Sequence, residues 1–182
     1  MTTNVLINPQ IPEQDRQHVE RILKGVEMRL GFIPAGLRLY SISPPILEQF
    51  VSMVGYFMEH PRLNMKLMVF IRYLVSAAAQ CRFCIDLNAS ILLEMGVTSE
   101  ELQAARESVD DVPLNDADRT LLKIALAAID SPDEVSQEDI DAAREQGFSD
   151  RDVFDAVVIA ANNKAFTHVL RTFKVEDQSA FS

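Results

Sequence analysis

The chain has 182 residues, of which 48% are hydrophobic and 24% are charged, a composition typical of one ordinary globular domain. Its 27 acidic and 17 basic residues give a formal net charge of −10. Nucleic acids and anionic membranes are bound through a basic face, so this balance argues against both as partners. The longest apolar stretch, residues 67–79, contains Arg72 and is too short to span a bilayer.

The N-terminal residues do not show the basic and then apolar pattern of a secretory signal peptide. We therefore expect a cytoplasmic protein, in which a stable structural disulfide would be unusual. A pair of neighbouring cysteines in that compartment is better explained by catalysis, redox sensing or metal binding.

The hydrophobic pattern predicts helices along most of the chain. Residues 1–12 are expected to form an extended arm, because Pro9 and Pro12 block a helix, and residues 13–182 are expected to form one domain. No segment has the alternating pattern of a β-strand. The fold class is therefore predicted to be all-α, a single-domain helical bundle. Helical spacing of apolar residues, with capping and terminating residues, predicts helices at 13–30, 35–40, 44–59, 64–79, 81–95, 98–112, 115–128, 136–147 and 149–173.

The last predicted helix is apolar on nearly every side between Val153 and Leu170. A helix of this kind must be covered on several faces. Burial within one subunit would provide that cover, and so would a homo-oligomer interface.

The two cysteines of the chain, Cys81 and Cys84, stand three residues apart at the predicted start of a helix. They could form a redox dithiol, contribute half of a metal site, or be two small residues of an apolar core. In a C-x-x-C sequence at a helix start, one turn brings both sulfurs to the same face, close enough to form a bond. This position makes the redox dithiol the favoured interpretation.

A metal site is disfavoured by the remaining ligands. Structural zinc needs four Cys or His ligands, usually in two pairs, and His18, His60 and His168 form no second pair. His18 is predicted to lie on a polar helix face, and His60 in a loop, so both are expected to be solvated or at an interface. We expect neither a metal nor another cofactor.

The predicted helix start would activate Cys84 only weakly. A helix terminus contributes about 0.3–1 kcal/mol, less than the roughly 1.4 kcal/mol that changes an acid dissociation constant tenfold. A nearby base, cation or hydrogen-bond donor must supply any stronger activation. Asn88 lies one turn beyond Cys84 on the same face, and its amide could support the sulfur by donating a hydrogen bond.

Six segments form a recognisable pattern through their order and spacing: Gly31–Pro34, Ser43–Leu47, Leu74–Cys84, Leu92–Leu102, Gly147–Asp150 and Asn162–Phe166. Together they resemble the carboxymuconolactone decarboxylase / alkylhydroperoxidase D-like family, and in particular its peroxidase-related branch. The resemblance covers roughly residues 30–175.

The resemblance implies an all-helical, alkylhydroperoxidase D-like fold that assembles as a trimer or hexamer. It implies that Cys84 attacks a peroxide and that Cys81 resolves the resulting sulfenic acid as a disulfide. The expected partners are a small peroxide or disulfide substrate and a thiol protein that reduces the pair again.

Three positions depart from the family pattern. Active members carry a glutamate where this chain has Val69, a histidine where it has Asn88, and histidine or tyrosine where it has Phe83. The glutamate and the histidines form a proton relay, and the residues found here cannot relay protons. The sequence therefore predicts a thiol-dependent oxidoreductase of weak activity.

Three alternatives remain open at this stage. The chain could be a catalytically degenerate, oligomeric member of the family that has kept its cysteines. It could carry out lactone decarboxylation, although the sequence suggests no lactone pocket. A relay could also be rebuilt from Glu94, from His168 or from a neighbouring subunit.

Overall fold

The fold is all-α, as the sequence pattern predicted. The computed structural model describes residues 5–181, and within that range the chain forms α-helices and short 3₁₀ turns but no β-strand. The helices are α1 (Arg16–Leu30), α2 (Ala35–Tyr40), α3 (Pro44–Met58), α4 (Met65–Ala78), α5 (Arg82–Glu94), α6 (Ser99–Glu107), α7 (Asp116–Asp130), α8 (Gln137–Glu145) and α9 (Asp150–Thr172).

The helix bounds follow the sequence signals closely, with one difference in the middle of the chain. The helix predicted over residues 98–112 ends at Glu107, and a 3₁₀ turn follows at Val109–Asp111. The hydroxyl of Ser108 accepts a hydrogen bond from the N–H of Asp110 at 3.2 Å, which starts this turn. Serine competes with helical hydrogen bonding in this way, so the helix ends early.

Residues 5–59 and 169–181 form one compact unit. Its core consists of Val19, Leu23, Leu37 and Leu47, which come from α1, α2 and α3. The described part of the predicted arm is not helical, and Ile11 packs against this core. Residues 1–4 of that arm lie outside the described range, and a domain boundary after residue 12 stays a prediction.

Gln178 connects the C-terminal segment to the start of α2. Its Oε1 accepts from the N–H of Ala35 at 3.0 Å, and its Nε2 donates to the carbonyl oxygen of Ile33 at 2.6 Å. A helix start leaves backbone N–H groups unpaired, and Pro34 at the N-cap offers no side-chain acceptor. A distant residue therefore provides the cap, which local sequence rules do not anticipate.

Residues 60–168 form the second compact unit. Nine of the 14 residues of α4 are buried, and α4 packs against α5, α6 and α7. Asn64 caps α4 by accepting from the N–H of Leu67 at 2.9 Å. This apolar helix is therefore central to the core of this unit.

His60 is buried, contrary to the solvated or interface position expected from the sequence. Its side chain is 1% exposed and its Nε2 lies 3.1 Å from Oδ2 of Asp155. Its Nδ1 accepts from the backbone N–H groups of Arg62 and Leu63, at 3.2 and 3.0 Å. Because Nδ1 accepts two hydrogen bonds, Nε2 carries the proton and donates it to Asp155.

Capping boxes begin three helices of this unit, at Thr98–Glu101, Ser136–Asp139 and Ser149–Asp152. The box at α9 is the most buried, since Asp152 is only 4% exposed. Burial alone would raise the pKa of Asp152. The hydroxyl and N–H of Ser149, each 2.7 Å from Oδ2, nevertheless hold that pKa below its ordinary value.

No helix in the described range combines the length and the apolar character that crossing a membrane requires.

Replacing Asp152 with Asn should flatten the dependence of stability on pH in acid. A carboxyl whose pKa is depressed by folding stabilises the protein above its unfolded pKa, and this contribution is lost as pH falls through the folded pKa. Wild type should therefore lose stability steeply below about pH 4, and the Asn variant less steeply. Denaturant unfolding between pH 7 and pH 2 measures both slopes.

Ser149→Ala is the matched variant, because it keeps the acid and removes the hydroxyl that donates to it. This variant should lower the free energy of unfolding by about 1 kcal/mol at pH 7, as loss of an N-cap does. It should also flatten the dependence of that free energy on pH in acid. Slopes equal to wild type in both variants would show that the hydrogen bonds of this box do not control the acid response.

Candidate redox site

The turn between α4 and α5 places both cysteines. The N–H of Cys81 donates to the carbonyl oxygen of Ser76, and the N–H of Gln80 donates to that of Ala77, both at 3.0 Å. These two hydrogen bonds form a Schellman motif, which ends α4 and satisfies its last carbonyl groups. The chain turns at Gln80, and Cys81 becomes the N-cap residue of α5.

Gln80 adopts a left-handed conformation with φ of 53°. The same motif ends α5 at Gly96 and α8 at Gly147, where glycine adopts positive φ without a Cβ. An L-residue with a side chain pays about 1–2 kcal/mol for this conformation. The turn that leads into the cysteine pair is therefore strained, as is the equivalent turn after α9, where Lys174 has φ of 61°.

Gln80→Gly should stabilise the protein by about 0.5–1 kcal/mol, because relief of the left-handed strain exceeds the added entropy of the unfolded chain. Gln80→Ala is the control, since it keeps the Cβ and should give no such gain. Chemical denaturation of the three proteins measures the difference. A Gly variant no more stable than the Ala variant would contradict the strain.

Cys81 and Cys84 are joined by a disulfide bond, with their Cα atoms 5.3 Å apart. Cys84 lies in the first turn of α5, so one helical turn closes the bond as the spacing predicted. Cys81 is 1% exposed and Cys84 is 2% exposed. The structure thus brings the two predicted site residues together, in a position with little access to solvent.

Asn88 is buried, 5% exposed, on the same helix as the disulfide. Its amide donates to the carbonyl oxygen of Cys84 at 2.7 Å rather than to a sulfur. Val69 and Phe83, the other two positions that depart from the family pattern, are 0% and 3% exposed. These apolar residues and an amide engaged with backbone supply no group that could exchange a proton at the sulfurs.

The residues considered for a rebuilt relay lie away from the pair or make no hydrogen bond to it. Glu94 is the last residue of α5, ten positions after Cys84, which corresponds to about 15 Å along the helix. His168 is exposed on α9. Among residues 5–181, no carboxylate or imidazole hydrogen-bonds to the sulfur of Cys81 or Cys84.

A cleft of about 400 Å³ lies close to the disulfide but does not reach it. Its walls include Leu74 and Ala78 from the last turns of α4, and Ile85, which directly follows Cys84. Arg106 and Asp130 are polar residues of the same lining. Neither cysteine lines this cleft, so it gives a ligand no direct path to the sulfurs.

The described part of the chain contains no group of three or more His, Cys, Asp or Glu side chains placed to hold a metal ion. The disulfide also leaves neither sulfur as a thiolate ligand.

The sequence model of the carboxymuconolactone decarboxylase family matches residues 44–113, which contain α3, α4, α5 and α6. Over this segment the chain is similar to members of that family. The matched segment includes both cysteines and the turn that places them. The family resemblance found in the sequence is therefore confirmed. No curated protein matches the sequence significantly.

Solved structures with the same fold include two peroxidase-related proteins. An uncharacterized peroxidase-related protein from Silicibacter sp. TM1040 has a TM-score of 0.81 at 18% identity, covering 93% of this chain and 90% of that one. An alkylhydroperoxidase AhpD core, an uncharacterized peroxidase-related protein from Ralstonia eutropha JMP134, has a TM-score of 0.79 at 21% identity, covering 94% and 93%.

A debrominase shares the fold as well. A cysteine-to-alanine variant of the debrominase Bmp8, in complex with 2,3,4-tribromopyrrole, has a TM-score of 0.76 at 22% identity, covering 99% of this chain and 95% of that one. These likenesses confirm an AhpD-like all-helical fold. One fold serves different reactions, so the reaction must be argued from the site.

Proposed function

We propose that this chain is a thiol-dependent oxidoreductase that reduces a small peroxide, or exchanges disulfides, through Cys84 and Cys81. The disulfide at the start of α5, within the family segment, is the observation that supports the proposal. A two-cysteine peroxidase passes through such a disulfide in each cycle, and the structure corresponds to the oxidised half of that cycle.

The reduced pair begins the reaction. The Cys84 thiolate attacks one peroxide oxygen and the O–O bond breaks, which leaves a sulfenic acid and an alkoxide or hydroxide that takes up a proton. The Cys81 sulfur then attacks the sulfenic sulfur, so that the disulfide forms and water leaves. Two thiol groups of a reductant protein return the pair to its starting state and are themselves oxidised to a disulfide.

Burial restricts the substrate in this scheme. With both cysteines at most 2% exposed, a peroxide of the size of hydrogen peroxide reaches the sulfurs more readily than a bulky one. A protein thiol is larger still, so disulfide exchange requires the turn at residues 79–81 to open. Strain at Gln80 lowers the cost of that opening.

A second candidate function is supported by the surroundings of the pair. Val69, Phe83 and Asn88 leave the sulfurs without a proton-exchanging neighbour. A general base typically contributes 10²–10⁴-fold to a rate, so its absence favours a degenerate member with structural cysteines. Slow peroxide turnover supports the oxidoreductase only if the rate depends on Cys84. Turnover that is independent of Cys84 supports the degenerate alternative.

We also propose that the chain assembles as a homo-oligomer, as its family resemblance implies. Phe154 is 66% exposed on α9, the helix whose sequence is apolar on nearly every side. Phe154 is therefore the side chain of α9 that we expect such an interface to cover.

Cys84→Ser should abolish peroxide consumption, because serine supplies no nucleophilic sulfur. Cys81→Ser should complete one turnover and stop at the sulfenic acid, which dimedone would trap on Cys84. The assay of wild type and Cys84→Ser follows peroxide loss with dithiothreitol as reductant. The single turnover of Cys81→Ser is measured after the reductant has been removed, and mass spectrometry locates the adduct. Consumption by Cys84→Ser at the wild-type rate would reject the proposal in favour of the degenerate alternative.

Asn88→His should raise the peroxidase rate at least tenfold, since it places an imidazole one turn from Cys84 where the amide now bonds to backbone. The gain should follow deprotonation of the new imidazole, with the rate rising from pH 5.5 to 7.5. Asn88→Gln is the control, because its amide cannot take up a proton. Equal rates for the His and Gln variants would show that proton transfer does not limit the reaction.

A further inference from the structure

Arg72 carries a guanidinium group that has no acidic partner in its own fold. It lies in the middle of α4, between the buried residues Ile71 and Tyr73. Its Nε atom is sealed from solvent and makes no hydrogen bond. Within residues 5–181, no ion pair or side-chain hydrogen bond involves this guanidinium. The hydrogen bonds at this position, from Ser76 and Asn163, go to the carbonyl oxygen.

Arg119, in the same unit, is an arginine whose guanidinium is paired within the fold. Its Nε is also buried without a partner. Its Nη1, however, donates to Asp116 at 2.7 Å, and its Nη2 donates to the carbonyl oxygen of Leu114 at 2.7 Å. Arg119 is therefore paired despite its orphaned Nε, and Arg72 is not.

Burial does not remove the charge of Arg72. Desolvation lowers the pKa of Arg72 to about 10, so the guanidinium remains protonated near neutral pH. A charge that is partly removed from water and left unpaired is costly. An anion that binds beside it would offset this cost.

The geometry leaves the outer end of the guanidinium available. Nε is the sealed atom, whereas Nη1 and Nη2 are neither hydrogen-bonded to protein nor sealed. Two planar N–H donors match the two oxygens of a carboxylate.

We propose that Arg72 forms a binding site for a carboxylate group, held in bidentate fashion by Nη1 and Nη2. The carboxylate comes from a small-molecule ligand or from an acidic side chain of a second copy of this chain. The proposal does not depend on the sulfur chemistry, because it is argued from the unpaired guanidinium alone.

Thermal unfolding in sodium acetate tests the small-molecule source. Acetate replaces chloride at constant ionic strength, and the proteins are wild type, Arg72→Met, Arg72→Lys and the control Arg82→Met, whose arginine is exposed. Acetate at about 100 times its Kd should raise the Tm of wild type and of the control by about 5–10 °C. Arg72→Met should not respond, and Arg72→Lys should respond weakly because it lacks the planar fork.

Sedimentation over a range of protein concentrations tests the second-copy source. If an acid of another copy occupies the site, Arg72→Met should weaken self-association at least tenfold, and acetate should dissociate the wild-type assembly by competition. Arg82→Met should assemble as wild type does. The double variant Cys81→Ser with Cys84→Ser should give the wild-type result in both experiments, so a failed redox proposal leaves this test unaffected.

Two results would overturn the proposal. One is an acetate response and a self-association constant that are the same for wild type and Arg72→Met. The other is an Arg72→Met protein that, dilute and without carboxylate, unfolds at a markedly lower temperature than wild type. That loss would mean that the guanidinium already has a partner within the fold. If Arg72→Met does not fold, Arg72→Lys decides, since an unchanged response in that variant rejects the bidentate site.

Discussion

The pair of hydrogen bonds that closes α4 is the constraint on which the candidate site depends. They run from Cys81 and Gln80 back to Ser76 and Ala77, and they fix where α4 stops and α5 begins. Cys81 becomes the N-cap residue, and Cys84 follows one turn later on the same face. The disulfide is therefore a consequence of backbone geometry.

The surroundings of the disulfide separate two properties that redox sites usually combine. The sulfurs are close enough to bond, yet both cysteines are buried and the amide of Asn88 donates to backbone. Proximity supports the formation and breakage of a disulfide, whereas rapid attack on a peroxide requires a stabilised thiolate. The structure therefore supplies the proximity, while the amide of Asn88 is directed to backbone rather than to a thiolate.

Much of the fold could be predicted from the sequence because the decisive signals are local. Pro44, Gly31 and Gly96 mark helix ends, and apolar spacing marks α4 as a central helix. The cysteine spacing was likewise enough to predict that the two sulfurs meet. The pairing of His60 with Asp155 and the capping of α2 by Gln178 were not predictable in this way. Each joins residues about 95 or more positions apart, and hydrophobic periodicity carries no information about such polar contacts.

The hydrogen bonding of His60 has an evolutionary consequence. One edge of the ring accepts from two backbone N–H groups, while the opposite edge donates to a buried carboxylate. Among the natural side chains, only imidazole is both acceptor and donor across a rigid ring of this width. Related chains that keep this loop should therefore retain histidine here even where the cysteine pair has been lost. The histidine is needed for its hydrogen bonds within the fold, which do not involve the cysteines.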